Sequence, residues 1–118
     1  MKTIMLVDDS TSIRNILKNA LVESYQVVEA ENGKVALEKT PGSSIDLFLL
    51  DVNMPEMDGI TLLAELRKIP AHSKTPILML TTETKDELRQ KGKELGASGW
   101  IVKPCEPDKL LGAIQKLI

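Results

Sequence analysis

Aromatic side chains and cysteine are scarce in this sequence. Among 118 residues there is one Trp, one Tyr, one Phe, one His and one Cys. A lone thiol, Cys105, closes no internal disulfide, so nothing points to an oxidising compartment. The lone His72 sits in a polar stretch, "AHSKT", with no second ligand near it. That argues against a metal site or a phosphocarrier built on it. A basic excess is also missing: net charge is −2, without the footprint of broad nucleic-acid binding. No apolar run approaches a membrane span. The first one, "TIMLV", stops at Asp8-Asp9, too short for a signal peptide. Repeats, low-complexity tracts and linkers are absent. What is present is ordinary: 42% apolar and 27% charged residues, enough for a core. The expectation is a single cytoplasmic domain spanning residues 1–118.

Two kinds of segment alternate. Continuous apolar runs occur at Ile4–Val7, Leu47–Leu50, Ile77–Leu80 and Trp100–Val102, as in strands buried on both faces. Tyr25–Ala30 is more mixed and reads as a sheet edge. Between them lie helical stripes: Ile13, Ile16, Leu17, Ala20 and Leu21; Leu62, Leu63 and Leu66 with Ile69; and Leu110, Leu111, Ile114, Leu117 and Ile118. Asn32–Thr40 is a shorter helix ending before Pro41-Gly42. Thr84-x-x-Glu87 reads as a capping box for a helix to about Leu95, with Gly96 as its stop. That helix has little apolar surface beyond Leu88 and Leu95. Gly92 inside it costs about 1 kcal/mol relative to Ala. It is expected to be a loosely held surface element. Strict alternation implies an α/β, doubly wound (βα)5 fold with a five-stranded parallel sheet.

In such a sheet the ligand site lies beyond the carboxyl ends of the strands. The residues there are Asp8-Asp9, then Asp51 and Asn53, then Thr81 and Thr82, then Lys103-Pro104. Three neighbouring carboxylates stay ionised only beside positive charge. Lys103 supplies one charge, and a hard cation such as Mg²⁺ suits the oxygen donors. No His, Cys or Gly-rich phosphate loop lies at a strand end. Metal, carboxylate, ammonium and hydroxyl together suit phosphoryl transfer to an aspartate. Asp58-Gly59 reads as a turn and helix start without chemistry, and Met54-Pro55 as a loop over the site.

At these residues the sequence resembles the receiver domains of two-component response regulators, over essentially the whole chain. The motifs are "LVDDS" at Leu6–Ser10, "DVNMPEMDG" at Asp51–Gly59, "MLTTE" at Met79–Glu83 and "WIVKP" at Trp100–Pro104. It is most similar to stand-alone chemotaxis regulators of the CheY type. The resemblance implies a flavodoxin-like strand order, 2-1-3-4-5. It implies Asp51 as phosphoacceptor and Asp9 and Asp51 as direct Mg²⁺ ligands. Asp8 would act through water and Asn53 through its backbone carbonyl. Lys103 would pair with a phosphoryl oxygen, Thr81 would be the switch hydroxyl and Trp100 the aromatic switch. Asn53 and Glu83 would tune the lifetime of the acyl phosphate. Cys105 falls where the family usually has Phe and reads as a mostly buried thiol.

The implied partners are a histidine kinase, an output protein and a phosphatase, with no nucleic acid or membrane. The output protein would dock on the fourth helix, fifth strand and fifth helix, with the flagellar motor switch as the favoured case. Phosphorelay or phosphate-sink use, or a receiver cut from a longer regulator, stay open. An aspartate-based phosphatase is a rival, but that class carries Asp-x-Asp, and here the tripeptide is Asp51-Val52-Asn53. An amide cannot do the second carboxylate's proton work. The expectation is therefore a self-phosphorylating and autodephosphorylating switch rather than a turnover enzyme. A flavodoxin-like FMN binder is a third reading, disfavoured because Asp8-Asp9 would repel the flavin phosphate.

Overall fold

The computed structural model describes residues 1–42, 44–54, 57–82, 85–103 and 106–118. Among the described residues five strands and five α-helices alternate: β1 Thr3–Val7, α1 Thr11–Leu21, β2 Gln26–Ala30, α2 Gly33–Lys39, β3 Leu47–Asp51, α3 Gly59–Arg67, β4 Ile77–Thr81, α4 Asp86–Glu94, β5 Gly99–Val102 and α5 Pro107–Leu117. The strands form one parallel sheet in the order β2-β1-β3-β4-β5. This is the doubly wound, flavodoxin-like arrangement expected from the sequence. Among the described residues no helix is long and apolar enough to cross a membrane.

The unbroken apolar runs have a simple cause. Side chains alternate across a strand, and both faces of the sheet are covered. Met5, Val7, Phe48, Leu50, Ile77 and Met79 point into a core shared with α2 and α3. Ile4, Leu6, Leu47, Leu49, Leu78 and Leu80 point into a second core with α1 and α5. Each fully buried Leu or Ile contributes about 1.5–3 kcal/mol, so these alternating sets fix the register of the central strands.

Three helices begin at side-chain caps. The oxygens of Ser10, Asn32 and Asp58 accept from the backbone N–H of Ile13, Val35 and Thr61 at 3.3, 2.8 and 2.8 Å. The capping box expected at Thr84 lies outside the described residues. α4 starts with Lys85 at its N-cap and no side-chain bond there. Its other end is firmly closed. Gly96 takes a φ of 97° and donates to Lys93, while Ala97 N–H donates to Gly92 O at 2.9 Å. This is a Schellman motif. Arg67 adds a tether: its guanidinium donates to the carbonyls of His72, Thr75 and Gly96 at 2.8, 2.6 and 2.6 Å.

Several expectations are corrected. Ile16 is not on the buried stripe of α1 but 60% exposed; Leu17 and Leu21 are the buried pair. The Trp100–Val102 run is not covered on both faces, because β5 is an edge strand and Val102 is exposed. The polar stretch around His72 does not leave it in a loop: it ends the 3-10 turn Pro70–His72 and is buried edge-on against Phe48, ring centroids 5.0 Å apart. Gly92 is the one buried residue of α4, and a Cβ there would lie 3.1 Å from Trp100 Cζ3. Its lack of a side chain lets α4 approach the indole. α2 ends at Lys39, and Thr40 opens a short 3-10 turn.

Candidate functional site

β1 and β3 lie side by side, but the connections leaving them run to opposite sides of the sheet. Their carboxyl ends therefore frame a crevice. Asp51 is the last residue of β3 and Thr81 the last of β4, so both belong to the ladder: Asp51 pairs with Leu80 and Thr81 with Val102. Asp8 follows β1 directly. Asp8, Asp9 and Asp51 each offer a carboxylate oxygen within 4.8 Å of the others. Lys103, just beyond β5, reaches across with Nζ 3.1 Å from Asp8 Oδ2 and 3.4 Å from Asp51 Oδ1. Residues from three strand ends thus converge as the sequence predicts.

The carboxylates are not equivalent. Asp8 is 1% exposed. Its N–H donates to Ala30 O at 3.2 Å, and its Oδ1 accepts from Ser10 N–H at 2.9 Å. Asp9 is exposed, and its side chain has no partner among the described residues. Asp51 is buried. That burial, and then the charge of Asp8, raise its pKa from 3.8 to about 6, against the pull of Lys103 and the Asn53 N–H. A trio of hard oxygen donors in which buried Asp51 resists ionisation fits Mg²⁺, which would compensate the charge that one ammonium does not.

Thr81 is fully buried, and its backbone carbonyl accepts from Lys103 N–H at 2.7 Å. Asn53 is exposed at the mouth, its N–H 3.4 Å from Asp51 Oδ1. Trp100 lies apart from the acids on β5, beside Met79 and under α4. Its Nε1 is buried without a hydrogen-bond partner among the described residues. A cavity of about 440 Å³ opens there, lined by Asp86, Arg89, Gln90, Lys93 and Trp100. The expectations for Glu83, Pro55, Pro104 and Cys105 lie outside the described residues.

Gly59 opens α3, as the sequence implies, but it also does more than start a helix. A Cβ on it would overlap the carbonyl oxygen of Asp51 and lie 2.8 Å from Val52 Cα. Its N–H donates to Val52 O at 2.9 Å. α3 therefore seats its first turn directly on the backbone of Asp51, which no side chain would permit. The available signal was a glycine immediately after the capping Asp58.

Residues 4–115 match the family model of the response regulator receiver domain. Vibrio cholerae chemotaxis protein CheY4 superposes with a TM-score of 0.96 at 42% identity, covering 100% of this chain and 99% of CheY4. Thermotoga maritima response regulator TrrA, solved in complex with Mg²⁺–BeF, gives 0.88 at 34% identity over 100% of both chains. Transcriptional regulatory protein SrrA of Staphylococcus aureus is 40% identical over 116 residues, 98% of this chain and 47% of SrrA. The chain thus spans about half the length of the curated relatives it matches. With the strand order, the acidic crevice and the reaching lysine, these similarities lead to one conclusion: the chain belongs to the receiver domain family of two-component response regulators.

Proposed function

We propose that this receiver is a phosphorylation-driven protein switch. Asp51 accepts a phosphoryl group from a histidine kinase in a Mg²⁺-dependent reaction, and the face built from α4, β5 and α5 passes the change to an output protein. The observation that carries this reading is Lys103 Nζ within 3.4 Å of Asp51, at a site where three carboxylates gather within 4.8 Å.

Asp9 and Asp51 would hold Mg²⁺ directly, Asp8 through water and Asn53 through its carbonyl. When bound, the ion supplies neutralisation of charge on the transferring group. An Asp51 oxygen forms the new O–P bond as the P–N bond of the donor breaks, and that electron pair leaves with the imidazole. Lys103 offsets charge on a phosphoryl oxygen. The Thr81 hydroxyl donates to another. Because Lys103 N–H is bonded to Thr81 O, a shift at the end of β4 is passed to the segment after β5. Trp100 and α4, in contact through Gly92, lie next along that path. Asp51-Val52-Asn53 offers no second carboxylate for proton transfer, so we read the chain as holding the group rather than turning it over.

Flagellar-motor signalling is the output we favour, because CheY4, a chemotaxis protein, shares 42% identity with this chain at a TM-score of 0.96. SrrA supports a second output, transcriptional control by a longer protein. Acetyl phosphate with Mg²⁺ should add one phosphoryl group by intact mass, and Asp51→Asn should abolish it. Retained label would overturn the assignment, and sustained turnover of small phosphate esters would overturn the switch. Pulldown with labelled protein separates the two outputs.

A further inference from the structure

We infer that Arg14 is a positioning residue for the metal ligands, acting on Asp9 through the peptide that joins it to Asp8. The inference rests on the Mg²⁺-dependent reading above. Arg14 Nη1 donates to the carbonyl oxygen of Asp8 at 2.5 Å. That oxygen belongs to the planar peptide between the two acids. Holding it fixes the plane, hence ψ of Asp8 and φ of Asp9, and so the direction in which the Asp9 side chain leaves the backbone. Asp9 needs such control. Its exposed carboxylate has no partner of its own among the described residues, while Asp8 is bonded at N, O, Oδ1 and Oδ2.

Arg14 is itself held. Its side chain is 14% exposed, and Nε lies 3.6 Å from Glu29 Oε1 on β2. Lys18 Nζ secures the other Glu29 oxygen at 3.2 Å. β2, α1 and the β1–α1 turn thus meet through one guanidinium. A planar fork can contact Asp8 O and Glu29 together, whereas a single ammonium has no such geometry.

The sign of one measurement separates positioning from plain electrostatics. Arg14 is a cation beside a cation site, so as a charge alone it opposes Mg²⁺, and its removal would tighten binding. As a positioning residue its removal weakens binding. In calorimetric titrations with Mg²⁺ alone, Arg14→Ala should bind about 10- to 100-fold more weakly than wild type. Arg14→Lys, which keeps the charge and loses the fork, should fall between them. At saturating Mg²⁺ the acetyl phosphate labelling rate of Arg14→Ala should return to within about twofold of wild type. Unchanged or tighter Mg²⁺ binding by a folded Arg14→Ala would overturn the inference. If the Ala variant does not fold, wild-type affinity in Arg14→Lys overturns it equally. Failure of the wild-type chain to bind Mg²⁺ would instead overturn the underlying reading.

Discussion

α3 and α4 are both nine-residue helices, and they are held in opposite ways. α3 opens at a bonded cap, Asp58, and buries Gly59, Ile60, Leu62, Leu63 and Leu66. It also rests on the backbone of Asp51. α4 opens without a side-chain cap bond and buries only Gly92. Its charged residues, Asp86, Glu87, Arg89, Lys91, Lys93 and Glu94, and the Lys85 at its N-cap, are exposed. The lesson is a division of labour along the same sheet. The helix after β3 is seated on the backbone of Asp51. The helix after β4 is held by far less buried surface, as the switch we propose requires.

The strongest way to break this comparison is a pair of truncations. Leu66→Ala in α3 should cost about 2–5 kcal/mol in urea denaturation, the range for a fully buried Leu. Leu88→Ala in α4, only half-buried, should cost about 1 kcal/mol or less. Equal losses would mean that α4 is as firmly seated as α3.

The next test concerns the rigid side, where α3 supports an unfavourable charge. Asp51 has a folded pKa of about 6, above its unfolded value near 4. Between those values the native state binds more protons, so stability falls as pH rises through the window. Asp51→Asn removes that penalty. Without Mg²⁺ it should gain about 2–3 kcal/mol at pH 7.5, and the gain should fade between pH 6 and pH 4. Adding Mg²⁺ should raise the melting temperature of wild type more than that of the variant. A variant equally stable or less stable at pH 7.5 would refute the picture of a burdened Asp51.

The smallest effect is expected at Gly92→Ala. Alanine gains about 1 kcal/mol of helix propensity, and its Cβ must fit beside Trp100 Cζ3, 3.1 Å away. If α4 yields, stability should change by less than about 1 kcal/mol while Trp100 emission shifts. A loss of several kcal/mol with unchanged emission would show that the helix does not give way.

The sequence made the strand ends legible because that signal is local and periodic. Apolar runs stop at Asp8, Asp51, Thr81 and Lys103, and parallel pairing brings those stops to one edge. Asp58 as a helix start and Gly96 as a helix stop were legible for the same reason, since such signals are read from neighbours in the chain. What was not legible depends on distant neighbours. Ile16 follows the helical period, yet α1 leaves it in solvent. His72 lies in a polar stretch, yet Phe48 covers it from another element. Gly59 and Gly92 are glycines because of what approaches them, and Arg14 acts on an atom that carries no sequence identity, a backbone carbonyl.

The Arg67 tether has a mechanical consequence. Its three carbonyl bonds and the Schellman turn pin the Gly96 end of α4 to the segment between α3 and β4. A rod pinned at one end cannot slide; it pivots. Nine residues at 1.5 Å each give a lever arm of about 13 Å, so a 10° pivot moves the Lys85 end by about 2 Å and leaves the Gly96 end in place. A binding surface spread along α4 would therefore be read unevenly, with the amplitude concentrated at the end next to Thr81.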